Sequence, residues 1–270
     1  MLSQLSFTPH ERVWGSLLTQ PWYRNSERKL IGEVWFRASE SVPLLVKFLF
    51  TSDRLSIQVH PGDDYARQHE NSAGKTEMWH IVQAAPGSLV AAGLREPMTR
   101  DRLREACIRG DIVEMLNWVP VQKGDTFFIP AGTIHAIGAG VAVCEVQQLS
   151  DVTYRLFDYG RRRELHLERG VDVSKLEPAN LRLSPQPLGH GHELLAECSH
   201  FRTERWMVNG SSTCRARSAN TIYVVLEGQG TIGGLPFSPG DAFEAPAQSE
   251  PFEIASPRAA FLLTSSNPAS

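Results

Sequence analysis

VQKGDTFFIPAGTIHAIGAG, residues 121–140, has an echo later in the chain, LEGQGTIGGLPFSPGDAFEAPA, residues 226–247. Each carries a Gly-Asp turn, then aromatic and apolar residues, then a proline six positions after the glycine: Gly124 to Pro130 in one, Gly240 to Pro246 in the other. A shared turn at matched spacing predicts two β units of related build. The two differ where it matters for chemistry. His135 follows the first proline by five residues, and the same place in the second is Pro251. Proline has no side-chain donor, so a metal site, if there is one, belongs to the first unit.

Outward from these stretches, Gly and Pro punctuate short β-like runs: LLVKFLF (44–50), LSIQVH (55–60), MWHIVQA (78–84), VAVCEVQQ (141–148), TIYVVLEG (221–228) and AAFLLTS (259–265). Many short strands between turns predict a mainly β barrel or sandwich, not a parallel sheet with crossover helices. One helical island stands out, TRDRLREACIRGDIVEMLN (99–117). Thr99 is expected to cap a first short helix, and Asp111 a second that turns Ile112, Met115 and Leu116 inward. Residues 174–193 hold three prolines and little periodicity, as a connection between units would.

Bulk properties exclude some function classes. With 27 Lys+Arg against 30 Asp+Glu, a net charge of -3, the chain lacks the basic surface of a nucleic-acid binder. A small anionic substrate needs only a local cationic pocket and stays open. The apolar run VPLLVKFLF is short and interrupted by Lys47, so no membrane span is predicted. The first residues lack the basic and apolar regions of a secretory signal, and the four cysteines show no CxxC spacing. A reducing cytoplasm is the expected compartment.

Candidate chemistry is concentrated between residues 58 and 163. In IQVHP, Gln58 and His60 are two apart and face the same side of a strand, with Ser56 beneath them. With Glu77 and His135 they make two imidazoles, a carboxylate and an amide oxygen, a set suited to zinc or another borderline divalent ion. The plain alternative is a hydrogen-bonded polar pair beside an ordinary Pro61-Gly62-Asp63-Asp64 turn. His80, three residues from Glu77, falls on the opposite strand face and reads as structural or surface, while His69 reads as solvated loop. Lys75 shares Glu77's side and would reach a sugar oxygen, or is a mobile loop lysine. In EVQQLSDVTYRLFDYGRRRE (145–164), Glu145 and Gln147 alternate with Val146 and Gln148, and Arg155 with Arg161 to Arg163 offers paired donors to a phosphate. A solvated charged turn explains Arg162 and Arg163 better than Arg155.

Four ordered motifs, IQVHP (57–61), GKTEMWH (74–80), PAGTIHAIG (130–138) and EVQQLSDVTYRLFDYGR (145–161), preceded by IGEVW (31–35), closely resemble the type I phosphomannose isomerases. These are zinc enzymes built from cupin (jelly-roll) barrels. The resemblance implies a mainly β fold of two cupin units with a small helical segment at about 94–118. It implies a catalytic, metal-binding unit over 1–173, a connection over 174–193 and a metal-free unit over 194–270. It also implies one Zn2+ per chain held by Gln58, His60, Glu77 and His135, with Lys75, Glu145 and Arg155 as catalytic residues. The expected reaction interconverts mannose 6-phosphate and fructose 6-phosphate through a cis-enediol, with a related phosphosugar or ketose as the nearest alternative substrate. A cupin oxygenase would carry a histidine at Gln58. A sugar-binding cupin without turnover would not need the ligand set. The chain departs from the family in its shortened helical part and in Phe36, where an acidic residue is common, a change expected to alter a contact near the site entrance.

Overall fold

The computed structural model describes residues 1–215 and 217–267. The protein is mainly β, and the described residues form three sheets, of seven, five and nine strands, whose strand pairs are all antiparallel. The first unit comprises the seven-stranded sheet, with Ile31–Arg37, Leu44–Phe50, Glu77–Ala84, Thr126–Ile129 and Val141–Gln148, and the five-stranded sheet, with Ile57–Val59, His135–Ile137 and Tyr154–Phe157. Inward residues of the two sheets meet around Leu49, Trp79, Ile81, Val90, Phe127 and Val143. Helices Arg100–Arg109, Ile112–Met115 and Leu167–Val173 cover the outer face of the smaller sheet through Leu103, Ala106, Ile112 and Val171.

The nine-stranded sheet forms the second unit, running on the long strands Phe201–Cys214 and Phe252–Ser266. Its outer face packs on the outer face of the seven-stranded sheet: Val34, Val46, Phe48 and Phe50 against Ile222, Val224 and Leu262, with the Trp22 indole donating to the Leu226 carbonyl at 2.9 Å. The earliest residues also cross over. Ser3–Gln4 pairs with Glu244 and Phe243 at the edge of the second sheet. Within residues 174–193, Arg182–Leu183 adds to the first sheet and Gln186–Gly189 to the other.

Several expectations change on inspection. Thr99 does cap its helix, its side chain accepting from Arg102 N at 3.2 Å. Asp111 precedes the next helix but makes no side-chain cap; its carboxylate takes the Arg109 guanidinium instead. Ile112 and Leu116 are buried, whereas Met115 is only half-buried. Residues read as turn and loop form a helix, Asp63–Glu70, carrying the exposed His69. Asn71 ends it at φ 50°, the left-handed conformation asparagine tolerates at a helix terminus. Phe36 lies between the units, edge-on to Phe48, and not at the site entrance; an outward position on Ile31–Arg37 delivers it into the inter-sheet core. Among the described residues no helix is long and apolar enough to cross a membrane.

His80 points away from Glu77, as the offset required, and is buried between the units with Nδ1 3.0 Å from Thr126 Oγ1. Burial, then the nearby Arg205 charge, pushes its pKa from 6.5 down to about 3. Below pH 6.5 the unfolded chain takes up a proton that the folded chain refuses, so this contribution to stability is present above 6.5 and is lost as pH falls toward 3. Each such histidine costs about 1.4 kcal/mol per pH unit across that window. Urea midpoints measured at pH 7 and pH 5 should therefore fall for the native protein, and fall less for His80→Gln once its lower baseline stability is subtracted.

Candidate metal centre

Strand register assembles the site. Gln58 on Ile57–Val59 stands opposite His135 on one neighbouring strand and Arg155 on the other. Glu77 comes from the facing sheet, opposite Ile129 and Gln147. Two residues on, Trp79 lies in a row with Glu145 and Lys47. Lys75 is held at the sheet edge by a clamp on the preceding loop: Asp63 Oδ1 accepts from Gly74 N at 2.8 Å and from Gln148 Nε2 at 3.0 Å.

The proton positions of the two histidines follow from their partners. His60 Nδ1 lies 2.9 Å from the Val152 carbonyl and His135 Nδ1 lies 2.8 Å from the Thr133 carbonyl. A carbonyl only accepts, so each Nδ1 carries the proton and each Nε2 presents a lone pair. Both Nε2 atoms sit 3.5 Å from the Glu77 carboxylate, one on each oxygen. Acceptor thus faces acceptor: His60 Nε2 is buried with no hydrogen-bond partner, and Glu77 Oε2 makes no hydrogen bond, with the Lys75 ammonium 3.3 Å from it. Unpaired buried groups of this kind cost about 1–3 kcal/mol each. A cation between them removes the penalty. The three ligand atoms lie within 4.8 Å of one another, the one such His/Cys/Asp/Glu group among the described residues. Burial lowers the pKa of both rings, that of His60 strongly and that of His135 to about 4, which keeps the imidazoles neutral, as ligands must be. Gln58 Nε2 stands 3.3 Å from His135 Nε2, with Oε1 on Ser56 Oγ. Exchanging amide O and N, assignments made from hydrogen bonding, turns the oxygen toward the same point. The donor set fits a divalent metal.

Around this centre runs a buried chain of alternating charge. Lys75 Nζ is 3.3 Å from Glu77 Oε2. The Trp79 indole is 3.0 Å from both Glu77 Oε1 and Glu145 Oε2. Lys47 Nζ lies 3.0 Å from Glu145 and 3.4 Å from Glu33, and Arg12 Nη2 reaches Glu33 at 2.5 Å. Burial alone would raise Glu33, but Lys47 and Arg12 hold it at about 2. Burial also pulls Lys47 down, yet Glu145 and Glu33 outweigh it and leave the ammonium above its ordinary value. Burial and the Glu77 charge raise Glu145 against the opposing pull of Lys47. These groups line a cavity of about 310 Å³ together with Gln58 and Arg155. Arg155 gives Nη1 to the Glu164 carbonyl at 2.7 Å, while its Nε is buried and unpartnered. Arg163 also lines the cavity but is gripped by Asp158; Arg161 turns to the same carboxylate, and Arg162 is exposed.

All seven sequence candidates, Gln58, His60, Lys75, Glu77, His135, Glu145 and Arg155, therefore converge on one cavity and its floor. Arg12, Glu33, Lys47 and Trp79 escaped the sequence reading. Lys47 had a legible signal: a lysine inside LLVKFLF is buried, and a buried lysine needs carboxylates.

Fold and site define a class first: a mainly β protein of stacked antiparallel sheets with a candidate metal centre between two of them. No family model matches the chain. It is 38% identical over 211 residues to the mannose-6-phosphate isomerase of Streptococcus mutans serotype c, covering 74% of this chain and 66% of that protein. It is 35% identical over 246 residues to mannose-6-phosphate isomerase ManA of Bacillus subtilis, covering 84% and 75%. The crystal structure of the mannose 6-phosphate isomerase of Bacillus subtilis superposes with a TM-score of 0.88 at 25% identity, over 97% of this chain and 98% of that one. The chain belongs to the mannose-6-phosphate isomerase family, a family of aldose–ketose isomerases.

Glu77→Gln removes the one negative ligand while keeping its shape. Affinity for Zn2+ or Co2+, read by metal competition, is expected to fall at least about 100-fold with the circular-dichroism spectrum unchanged. Native-like affinity would place the ion elsewhere.

Proposed function

We propose that the protein interconverts mannose 6-phosphate and fructose 6-phosphate with one Zn2+ held by Gln58, His60, Glu77 and His135. The observation that carries this reading is the pair of buried imidazole lone pairs aimed at a carboxylate inside a cavity lined with cations. Family membership supplies the substrate class. When bound, zinc would polarise the oxygens on C1 and C2 of the open-chain sugar. The remaining work falls to side chains. Lys75 and Glu145 flank Glu77 from two sides and would carry the proton from C2 of the aldose to C1 of the ketose through a cis-enediol. Glu145 suits this exchange because burial and the Glu77 charge raise its pKa above the ordinary carboxylate value, which makes it a stronger base. Lys47 and Trp79 fix its orientation. Arg155, with a donor left unpaired beside Gln58, would stabilise charge that develops only as the proton leaves.

In this reading the unit at 1–173 does the chemistry, 174–193 connects, and 194–270 is a metal-free buttress. The free cysteines, three of four buried, suit a reducing cytoplasm.

The test is a coupled assay for fructose 6-phosphate formed from mannose 6-phosphate, on protein as purified, after chelation and after zinc is restored. Turnover should vanish with the chelator and return with zinc. Arg155→Ala should keep its zinc and lose about 100- to 1,000-fold in kcat. Full turnover in that variant removes Arg155 from the mechanism; a zinc-loaded native protein that turns over another phosphosugar instead would reassign the substrate.

A further inference from the structure

The two units can be aligned by strand register. Ile129 and Ala245 each lie five residues beyond their Gly-Asp turn glycine, and they pair with Glu77 and Thr221 respectively. Trp79 then corresponds to Tyr223. From there the partners follow: Glu145 opposite Trp79 matches Leu263 opposite Tyr223, and Lys47 opposite Glu145 matches Glu204 opposite Leu263. One step further, Glu33 opposite Leu49 matches His192 opposite Trp206. Glu33, Lys47, Leu49, Trp79 and Glu145 line the first cavity. Their five counterparts, His192, Glu204, Trp206, Tyr223 and Leu263, all line a second cavity of about 730 Å³.

The second cavity is therefore in the same place in its own unit, with its polar pair inverted. A Glu33–Lys47 contact of 3.4 Å has become a His192–Glu204 contact of 3.0 Å. Thr221 stands in place of Glu77 and Pro251 in place of His135, so the metal donors are gone. In their stead the segment after Phe201–Cys214 brings Arg215 and Arg217 to the rim. Buried Glu204 accepts from His192, from Arg202 Nε and from both Nη atoms of Arg217, at 3.0 to 3.3 Å. That fills its acceptor positions and holds the Arg217 plane in one orientation, with three of the five guanidinium N–H groups not used on the carboxylate. His192 stacks on Trp206 at 4.6 Å and 17°, making a flat wall. Among its lining side chains two guanidinium groups, Arg215 and Arg217, stand against one carboxylate, Glu204.

We propose that this cavity is a second, non-catalytic binding site for a sugar phosphate, its phosphate on Arg215 and Arg217 and its sugar against the His192–Trp206 wall. An oriented guanidinium with spare donors suits a phosphate, and a mixed aromatic and polar wall suits a ring with one C–H face and a hydroxyl rim. This second site uses residues distinct from the metal centre and does not depend on the isomerase reading.

The test titrates the zinc-loaded full-length protein with mannose 6-phosphate and, separately, with inorganic phosphate, by calorimetry. Two binding events per chain are expected for the sugar phosphate. Arg217→Gln should weaken one of them at least about tenfold and leave the other. Arg215→Ala, at an exposed position away from the Glu204 cluster, should weaken the same event and keep kcat within twofold, which covers the case in which Arg217→Gln misfolds. Inorganic phosphate should bind that event more weakly than the sugar phosphate; equal affinity would overturn the sugar assignment. Stoichiometry and affinity unchanged in Arg215→Ala would overturn the site. Absent isomerase turnover with an Arg215-dependent binding event would sink the proposed reaction and leave this site standing.

Discussion

Glu77 is 1% exposed and faces two imidazole lone pairs. A carboxylate so placed must be surrounded by compensating groups or it will protonate or unfold its surroundings. The inner face of the seven-stranded sheet supplies them in order: Lys75, the Trp79 indole, and then Glu145, Lys47, Glu33 and Arg12 in alternation. Much of the first unit follows from this requirement. Lys47 must be buried because Glu145 and Glu33 are, and Leu44–Phe50 must occupy a central position in the sheet because only there does one lysine reach two carboxylates. What is left uncompensated is one point between His60, Glu77 and His135.

The same strands serve two masters through the period of two. Lys47, Glu145 and Glu77 face the cavity, while Val46, Phe48, Cys144, Val146 and Met78 face the second unit. Polar precision on one side is held in register by apolar packing on the other. A slip of one residue would drive Glu145 and Lys47 into the inter-unit core and bring Phe48 over the site. Phe36 belongs to this packing side, which is why its departure from the family pattern does not touch the cavity.

Legibility in the sequence followed how local each determinant was. That Gln58, His60, Glu77, His135 and Arg155 come together was readable because motif and residue chemistry point the same way. The twin Gly-Asp turns marked related units because a turn is a local event. The helix at 63–70 was hidden by its polar content, with Ala66 its one buried residue, so no apolar period announced it. Asp111 sat at a plausible cap, but Arg109 two residues away competed for its carboxylate. Arg12, Glu33 and Trp79 could not be found because their roles exist only across strands, and which strand lies beside which is a long-range fact.

One short pairing bears on how such a chain reaches its fold in time. Ser3 and Gln4 form the outermost strand of the sheet whose other strands come from the far end of the polypeptide, meeting Glu244 and Phe243. Synthesis delivers them long before their partners, which lie on the other side of the whole first unit. Until then Ser3–Gln4 has no edge to dock on, although the strands of the first unit are already available to fold. That edge of the second sheet is completed only after the whole stretch between the partners has been made, a long-range pairing of the kind that forms slowly.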